Sequence, residues 1–275
     1  MKLLVPTDFS KPSKTALLYA VHMAKKLQGE ITVLWFNSIQ STKQTLSKWK
    51  KLEAEMVAIA QEDAQQFVTE VLTEAKSKMT VDYHFTSGPS FADSVDDYAV
   101  KNDFDMIVMG TKGATGLKKV LIGSHAASMI DHSRVPVLVI PEKAVFKPWK
   151  KMVYASSLYE LDQEIKTIAM LASIYEATLH VLHISPASSK EKIDKNFLPE
   201  LIKTAGYPKI VYQDIKDDNI SKAIDTYILD TKADMLAMFT HKLDMYEKLF
   251  GKSVTRQLAL HAHVPLLTFN KTLLI

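Results

Sequence analysis

The chain has 275 residues, 47% of them hydrophobic, enough for two cores of ordinary domain size. It has no cysteine, which excludes disulfides and thiol catalysis, and a net charge of +3 spread evenly over both halves, which leaves no basic arm for nucleic acid. No apolar run approaches membrane-spanning length, and nothing ahead of the first apolar stretch reads as an export signal, so the expectation is a cytoplasmic protein with neither a membrane nor a nucleic-acid partner.

In chain order, short apolar runs alternate with helical periodicities. Strands are predicted near 2–7, 30–37, 80–86, 104–109 and 135–140, and helices near 12–28, 45–78, 90–101 and 123–133. In the long 45–78 stretch Leu52, Met56, Ile59, Ala60, Phe67 and Val71 recur at helical spacing, which reads as a core-facing stripe. Its first turn, Ser47-Lys48-Trp49-Lys50-Lys51, reads as a solvated helix end. Residues 142–150, charged and broken by Pro148, read as a linker.

After the linker the pattern starts again. Lys2-Leu3-Leu4-Val5-Pro6-Thr7-Asp8 recurs as Lys151-Met152-Val153-Tyr154-Ala155-Ser156-Ser157, and Ile31-Thr32-Val33-Leu34-Trp35-Phe36 as Leu179-His180-Val181-Leu182-His183-Ile184. Phe104-Asp105-Met106-Ile107-Val108-Met109 recurs as Ala233-Asp234-Met235-Leu236-Ala237-Met238, and the run at 135–140 as that at 264–269. Each copy has the pattern of a parallel sheet covered by helices, so the chain reads as a tandem of whole α/β domains, 1–143 and 150–275. Between residues 186 and 207 the second copy has room only for a shorter or broken covering helix, interrupted by Pro199 and Gly206.

Chemistry concentrates in one segment. Four of the eight glycines, Gly110, Gly113, Gly116 and Gly123, fall between an apolar run and a helical stretch beginning at Ser124. A strand, a glycine-rich loop and a helix start can together hold a phosphate: glycine lets backbone N–H groups approach an anion, and the helix start adds N–H groups and a positive dipole end. Thr111 and Ser124 add hydroxyl donors; Lys112, Lys118 and Lys119 add charge. A dinucleotide fingerprint does not fit, because the glycines follow a late strand with the wrong spacing. Gly251-Lys252-Ser253 mimics the end of a P-loop, but Tyr246 stands where its first glycine belongs.

The spacing Gly110-x2-Gly113-x9-Gly123-Ser124 resembles the ATP-binding signature of the universal stress protein family. Leu3-Leu4-Val5-Pro6-Thr7-Asp8-Phe9-Ser10 is similar to that family's first strand and turn, and Ser133-Arg134-Val135-Pro136-Val137-Leu138-Val139-Ile140-Pro141 to its last strand. The resemblance covers 1–143 well and 150–270 in outline, which is the tandem two-domain type. It implies two doubly wound parallel five-stranded sheets, strand order 3-2-1-4-5, of the adenine-nucleotide alpha-hydrolase-like kind. It also implies domains joined along their last strands, an intrachain pseudo-dimer, and leaves a further homodimer open.

The same resemblance implies a nucleotide site at the strands' carboxyl ends, where strand order reverses. Pro6 and Thr7 would line it through their backbones. Asp8 would accept from the base or sugar, although the residue equally suits a helix cap or turn. Phe36 would hold the adenine, or serve as a core aromatic. Gly110 would lie on the sugar side and Gly113, Gly123 and Ser124 on the phosphates, with Thr111 a further hydroxyl donor and His125 a phosphate neighbour. In the second copy Ser157 replaces Asp8, Phe239 and Lys242 stand where Gly110 and Gly113 should be, and nucleotide binding is expected to be lost. His261 and His263 could form a metal pair, but no third ligand stands near them in sequence. No nucleophile–base spacing argues for dedicated catalysis. The function implied is an ATP-binding regulatory protein of the stress-response type with one site. The alternatives are a slow Mg2+-dependent ATPase or phosphotransferase, and a nucleotide-independent interaction module.

Overall fold

The computed structural model describes residues 1–38, 46–111, 123–190, 194–240 and 264–270, with only the backbone of 46–53. The chain divides into two units, Met1–Phe146 and Lys147–Ile275.

Unit one contains β1 (Lys2–Thr7), α1 (Lys11–Leu27), β2 (Glu30–Ser38), α2 (Leu46–Glu74), β3 (Asp82–Gly88), α3 (Phe91–Lys101), β4 (Met106–Gly110), α4 (Ser124–His132) and β5 (Val137–Ile140). Its strands lie in the order β3-β2-β1-β4-β5, and every pair is parallel. Strand β1 is central because its side chains are apolar on both faces: Leu3, Leu4 and Val5 are fully buried. Burying each such side chain stabilises the fold by about 1.5–3 kcal/mol. Because β1 pairs with β2 on one side and β4 on the other, the connections to its two neighbours leave in opposite directions, and a crevice opens where β1 and β4 end.

Local sequence sets the helix ends. Ser10 caps α1, accepting from the Ser13 N–H, and Pro12 sits in the first turn, where a missing N–H is harmless. The long helix stops at Glu74, short of the expected 78, because Lys76 takes a left-handed φ of 47° and the Ser77 N–H turns back to the Leu72 carbonyl at 2.9 Å. Ser90 caps α3 through the Asp93 N–H, 3.3 Å away. The middle of α3 is clasped to the turn before β5. Asp96 accepts the Ser133 hydroxyl at 3.1 Å, the Arg134 N–H at 2.6 Å and the Arg134 Nε–H at 2.6 Å, and the Arg134 guanidinium also reaches Asp97.

Unit two repeats the plan with β6 (Lys151–Ala155), α5 (Leu161–Tyr175), β7 (Thr178–Ser185), α6 (Phe197–Ala205), β8 (Ile210–Lys216), α7 (Ile220–Thr231), β9 (Met235–Thr240) and β10 (Leu266–Asn270). The order β8-β7-β6-β9-β10 mirrors that of unit one, again wholly parallel. Helix α6 has 9 residues against the 29 of α2. Pro199 does not interrupt it, because it falls in the first turn; Gly206, at φ 63°, ends it. Among the described residues no helix is long and apolar enough to cross a membrane.

Candidate functional site

The crevice of unit one is shaped first by the turn after β1. Pro6 and Thr7 are the last residues of the strand, both buried. The Thr7 hydroxyl donates to Ser13 Oγ at 3.1 Å and accepts the Phe9 N–H at 3.0 Å, so its polar capacity is committed to the turn. Asp8 follows, exposed, with one carboxylate oxygen accepting the Ser10 N–H at 3.1 Å. Phe9 takes φ 60°, which ends the strand and swings the chain into α1. Asp8 is therefore a turn carboxylate that also stands at the mouth of the crevice; the helix cap is Ser10.

Gly110 ends β4 directly beside that turn. A Cβ on it would lie 2.7 Å from the Pro12 carbonyl oxygen and 2.8 Å from its carbon, so the start of α1 touches the strand end only because the residue is glycine. The Thr111 N–H then extends the ladder to the Ile140 carbonyl at 3.1 Å, and the Thr111 carbonyl accepts the Gly123 N–H at 2.5 Å. That bond joins the two ends of the glycine-rich segment at the crevice. Gly113, Gly116, Lys112, Lys118 and Lys119 lie outside the described residues.

Gly123 is the N-cap of α4 with φ −58° and ψ 149°, backbone angles that any residue adopts. Its N–H is engaged with Thr111, so the donors this end of the segment offers are those of the first helical turn, which begins with the exposed Ser124 and then His125. Gly123 has no side chain to cap this helix, and none caps it among the described residues. An uncapped helix start with its positive dipole end, next to a strand-end carboxylate, suits a ligand with an anionic end and a hydroxyl-bearing end.

Beside the helix start stands an aromatic series that the sequence reading found only in part. The Phe36 ring meets Phe91 edge-on at 5.5 Å, and Phe91 lies flat under the His125 imidazole at 4.0 Å and 10°. Phe36 is opposite Thr86 and lies one residue past the end of β1, since Thr7 is opposite Trp35. Phe91, the first residue of α3, is not among the residues that the sequence singles out. Its signal was the helix-initiating Gly88-Pro89-Ser90 ahead of it, which places the next side chain at the same sheet edge. The protein around His125 disfavours the charged imidazole and lowers its pKa below the ordinary histidine value; the Asp8 carboxylate pulls the other way and is outweighed.

Unit two keeps the turn and loses the charge. The Leu158 N–H donates to Ser156 Oγ at 3.0 Å, as Phe9 does to Thr7, and Leu158 takes φ 66°. Ser157 accepts the Tyr159 N–H at 3.4 Å, as Asp8 does from Ser10. In place of Gly110 stands Phe239, 6% exposed, stacked on Phe269 at 4.7 Å and edge-on to Tyr154 at 5.8 Å. The Tyr154 hydroxyl donates to the buried Glu164. A ring at this position rules out the close strand-to-helix contact that Gly110 allows. His241, Lys242, Gly251, Lys252, His261 and His263 lie outside the described residues. His180 pairs with the Tyr227 hydroxyl at 2.7 Å, and His183 Nδ1–H donates to the Ser156 carbonyl at 2.9 Å. Among the described residues no group of three or more metal-ligating side chains comes together.

Both halves of the chain match the model of the universal stress protein family, over residues 1–141 and 162–270. A universal stress protein of Synechocystis, Slr1230, is 24% identical over 294 aligned positions, covering 98% of this chain and 99% of that protein. The universal stress protein MJ0531 of Methanocaldococcus jannaschii is 29% identical over 145 residues, half of this chain and 81% of that protein. Among solved structures, a universal stress protein from Archaeoglobus fulgidus superposes with a TM-score of 0.75 at 20% identity, covering 98% of this chain and 96% of that one.

Proposed function

The chain belongs to the universal stress protein family over both of its halves, and on that premise we propose that it is an adenine-nucleotide-binding regulatory protein with one ATP site, in unit one. The reading is carried by the contrast between the two crevices. In unit one Gly110 lets β4 end against the start of α1, the Thr111–Gly123 bond brings an uncapped α4 to the same point, and Asp8 stands beside them. In unit two the same turn survives without its carboxylate, and Phe239 is buried where Gly110 was.

The residues of the unit-one crevice divide the work in this reading. The first-turn N–H groups of α4, with the Ser124 hydroxyl, receive phosphate oxygens. Asp8, one oxygen held by Ser10, presents the other side of its carboxylate to a sugar hydroxyl or a base amine. Pro6 and Thr7 form the wall through their backbones. Phe36 and Phe91 close the side of the crevice next to β2. Binding rather than turnover is the function proposed, because the polar groups at the crevice serve to hold the turn and the helix start.

Denaturing the purified protein and separating the released small molecules by chromatography tests this directly. Adenine nucleotide in stoichiometric amount, or ATP binding in calorimetry with one site per chain, is the expected result. A protein that neither retains nor binds adenine nucleotide would leave the interaction-module reading in its place. Steady-state phosphate release well above one per hour per chain would replace binding with turnover.

A further inference from the structure

The His125 ring is fixed in a position that the rest of the crevice does not explain. Its imidazole lies parallel to Phe91 at 4.0 Å, and Phe91 is itself braced edge-on by Phe36 at 5.5 Å. The stack holds a titratable ring on the first turn of α4, one residue after Ser124, where the proposed phosphates would lie. The positive end of the helix opposes a second positive charge there.

Resting on the nucleotide reading above, we propose that His125 is a proton-linked contact for the anionic group of the bound nucleotide: it is neutral in the empty site, takes up a proton when phosphate arrives, and makes phosphate-bearing ligands bind more tightly as the pH falls.

The charges around the ring are consistent with that response. From the β1–α1 turn the Asp8 carboxylate raises the His125 pKa, and desolvation lowers it by more. From α3 the ring meets Phe91; Asp93 is an exposed acid in the same first turn, and Asp96 and Asp97, in the middle of that helix, are engaged with Arg134. Strand β5, which α4 also packs on, carries only apolar side chains, and Asp131 and His132 are at the far end of α4 itself. A di- or trianionic phosphate next to the ring adds to the single opposite charge that Asp8 supplies, which desolvation outweighs in the absence of ligand. The linkage has a definite sign: the bound-state pKa exceeds the free-state pKa. The extra affinity is absent above both values, grows as the pH falls between them, and is complete below both.

Two measurements test this. The first is the His125 Cε1–H resonance, assigned by its loss in His125→Gln and titrated with and without ATP. The second is ATP affinity by calorimetry from about pH 8 to about pH 5.5, for wild type and His125→Gln, with adenosine as the ligand lacking phosphate. The expected result is an upward shift of the His125 midpoint on adding ATP. Wild type should gain affinity over the variant about tenfold for each unit of that shift. Adenosine affinity should show no such difference. An unchanged or lowered midpoint, or the same pH dependence of ATP affinity in both proteins, would overturn the proton linkage while leaving nucleotide binding intact. Absence of ATP binding at every pH would overturn both.

Discussion

At the scale of single residues, unit two serves as a natural control for unit one. Ser157 takes the same backbone hydrogen bond in unit two that Asp8 takes in unit one. Asp8→Ser should therefore preserve the turn, leave the unfolding free energy in urea within about 0.5 kcal/mol of wild type, and still weaken ATP by about tenfold or more. A variant that keeps full ATP affinity would reduce Asp8 to a turn residue. The two glycines separate differently. Gly110→Ala drives a Cβ into the Pro12 carbonyl, so a backbone must shift, at a cost of about 1–3 kcal/mol. Gly123, at φ −58°, loses nothing to backbone strain, and Gly123→Ala should cost about 1 kcal/mol or less, through poorer capping. Thermal melts of the two variants without ligand should show that order. A third residue-scale effect lies in unit two. Burial, the nearby Glu164 carboxylate and the hydrogen bond to it raise the Tyr154 pKa far above that of free tyrosine. A group raised in the folded state contributes stability that is present below the unfolded pKa, near 10, and declines above it. Stability should fall as the pH passes about 10, less so in Tyr154→Phe once the lost hydrogen bond is allowed for.

At the scale of elements, the clasp between α3 and the turn before β5 is the most specific polar feature of unit one. Asp96 is 7% exposed and accepts three hydrogen bonds, whereas the Arg134 side chain is 41% exposed. Removing the buried partner strands the Arg134 N–H, while the Ser133 hydroxyl keeps the Val135 carbonyl at 2.8 Å, so Asp96→Ala should cost about 2–3 kcal/mol. Arg134→Ala removes mainly a solvent-screened pair and should cost about 1 kcal/mol or less. Equal losses in urea denaturation would mean that the charge pair, rather than the backbone anchoring, holds the turn. This clasp was not legible in the sequence, because Asp96 and Ser133-Arg134 are far apart in the chain and carry no local pattern. The strands were legible, since β4 and β5 are apolar runs of the kind that parallel sheets bury, β1 is apolar from Leu3 to Pro6, and β2 from Ile31 to Phe36 is broken only by Thr32. Element ends were less so: nothing in Ala75-Lys76-Ser77 announces a left-handed lysine. At the site, Asp8 and Gly110 could be read from their positions at strand ends. Phe91 is marked only by the Gly88-Pro89-Ser90 turn ahead of it; that its ring meets His125 depends on how α3 packs against α4. The pairing of Gly110 with Pro12 was hidden for the same reason. The glycine looked like a ligand residue, and its nearest neighbour is a helix.

At the scale of the whole molecule, duplication with loss in one copy predicts asymmetric occupancy. Both units have the same strand order and the same turn after their first strand, so the fold alone would allow two nucleotides per chain. The difference is chemical and local: a carboxylate and a glycine in unit one, a hydroxyl and a buried aromatic ring in unit two. Calorimetry with ATP should therefore give one site per chain. Ligand that binds only folded protein stabilises it by about 2.7 kcal/mol at one hundred times its dissociation constant. That stabilisation should appear where the ligand sits. In hydrogen exchange, ATP should slow amides at the ends of β1 and β4 and in the first turns of α1 and α4. The corresponding amides at the ends of β6 and β9 should exchange as before. Lowering of exchange at 154–159 and 235–240 to the same degree, together with a stoichiometry of two, would show that Phe239 leaves room for a second nucleotide and that the loss of Asp8's counterpart does not abolish binding. One site with protection confined to unit two would place the ligand in the crevice now argued to be closed, and would move the regulatory reading to the other half of the chain.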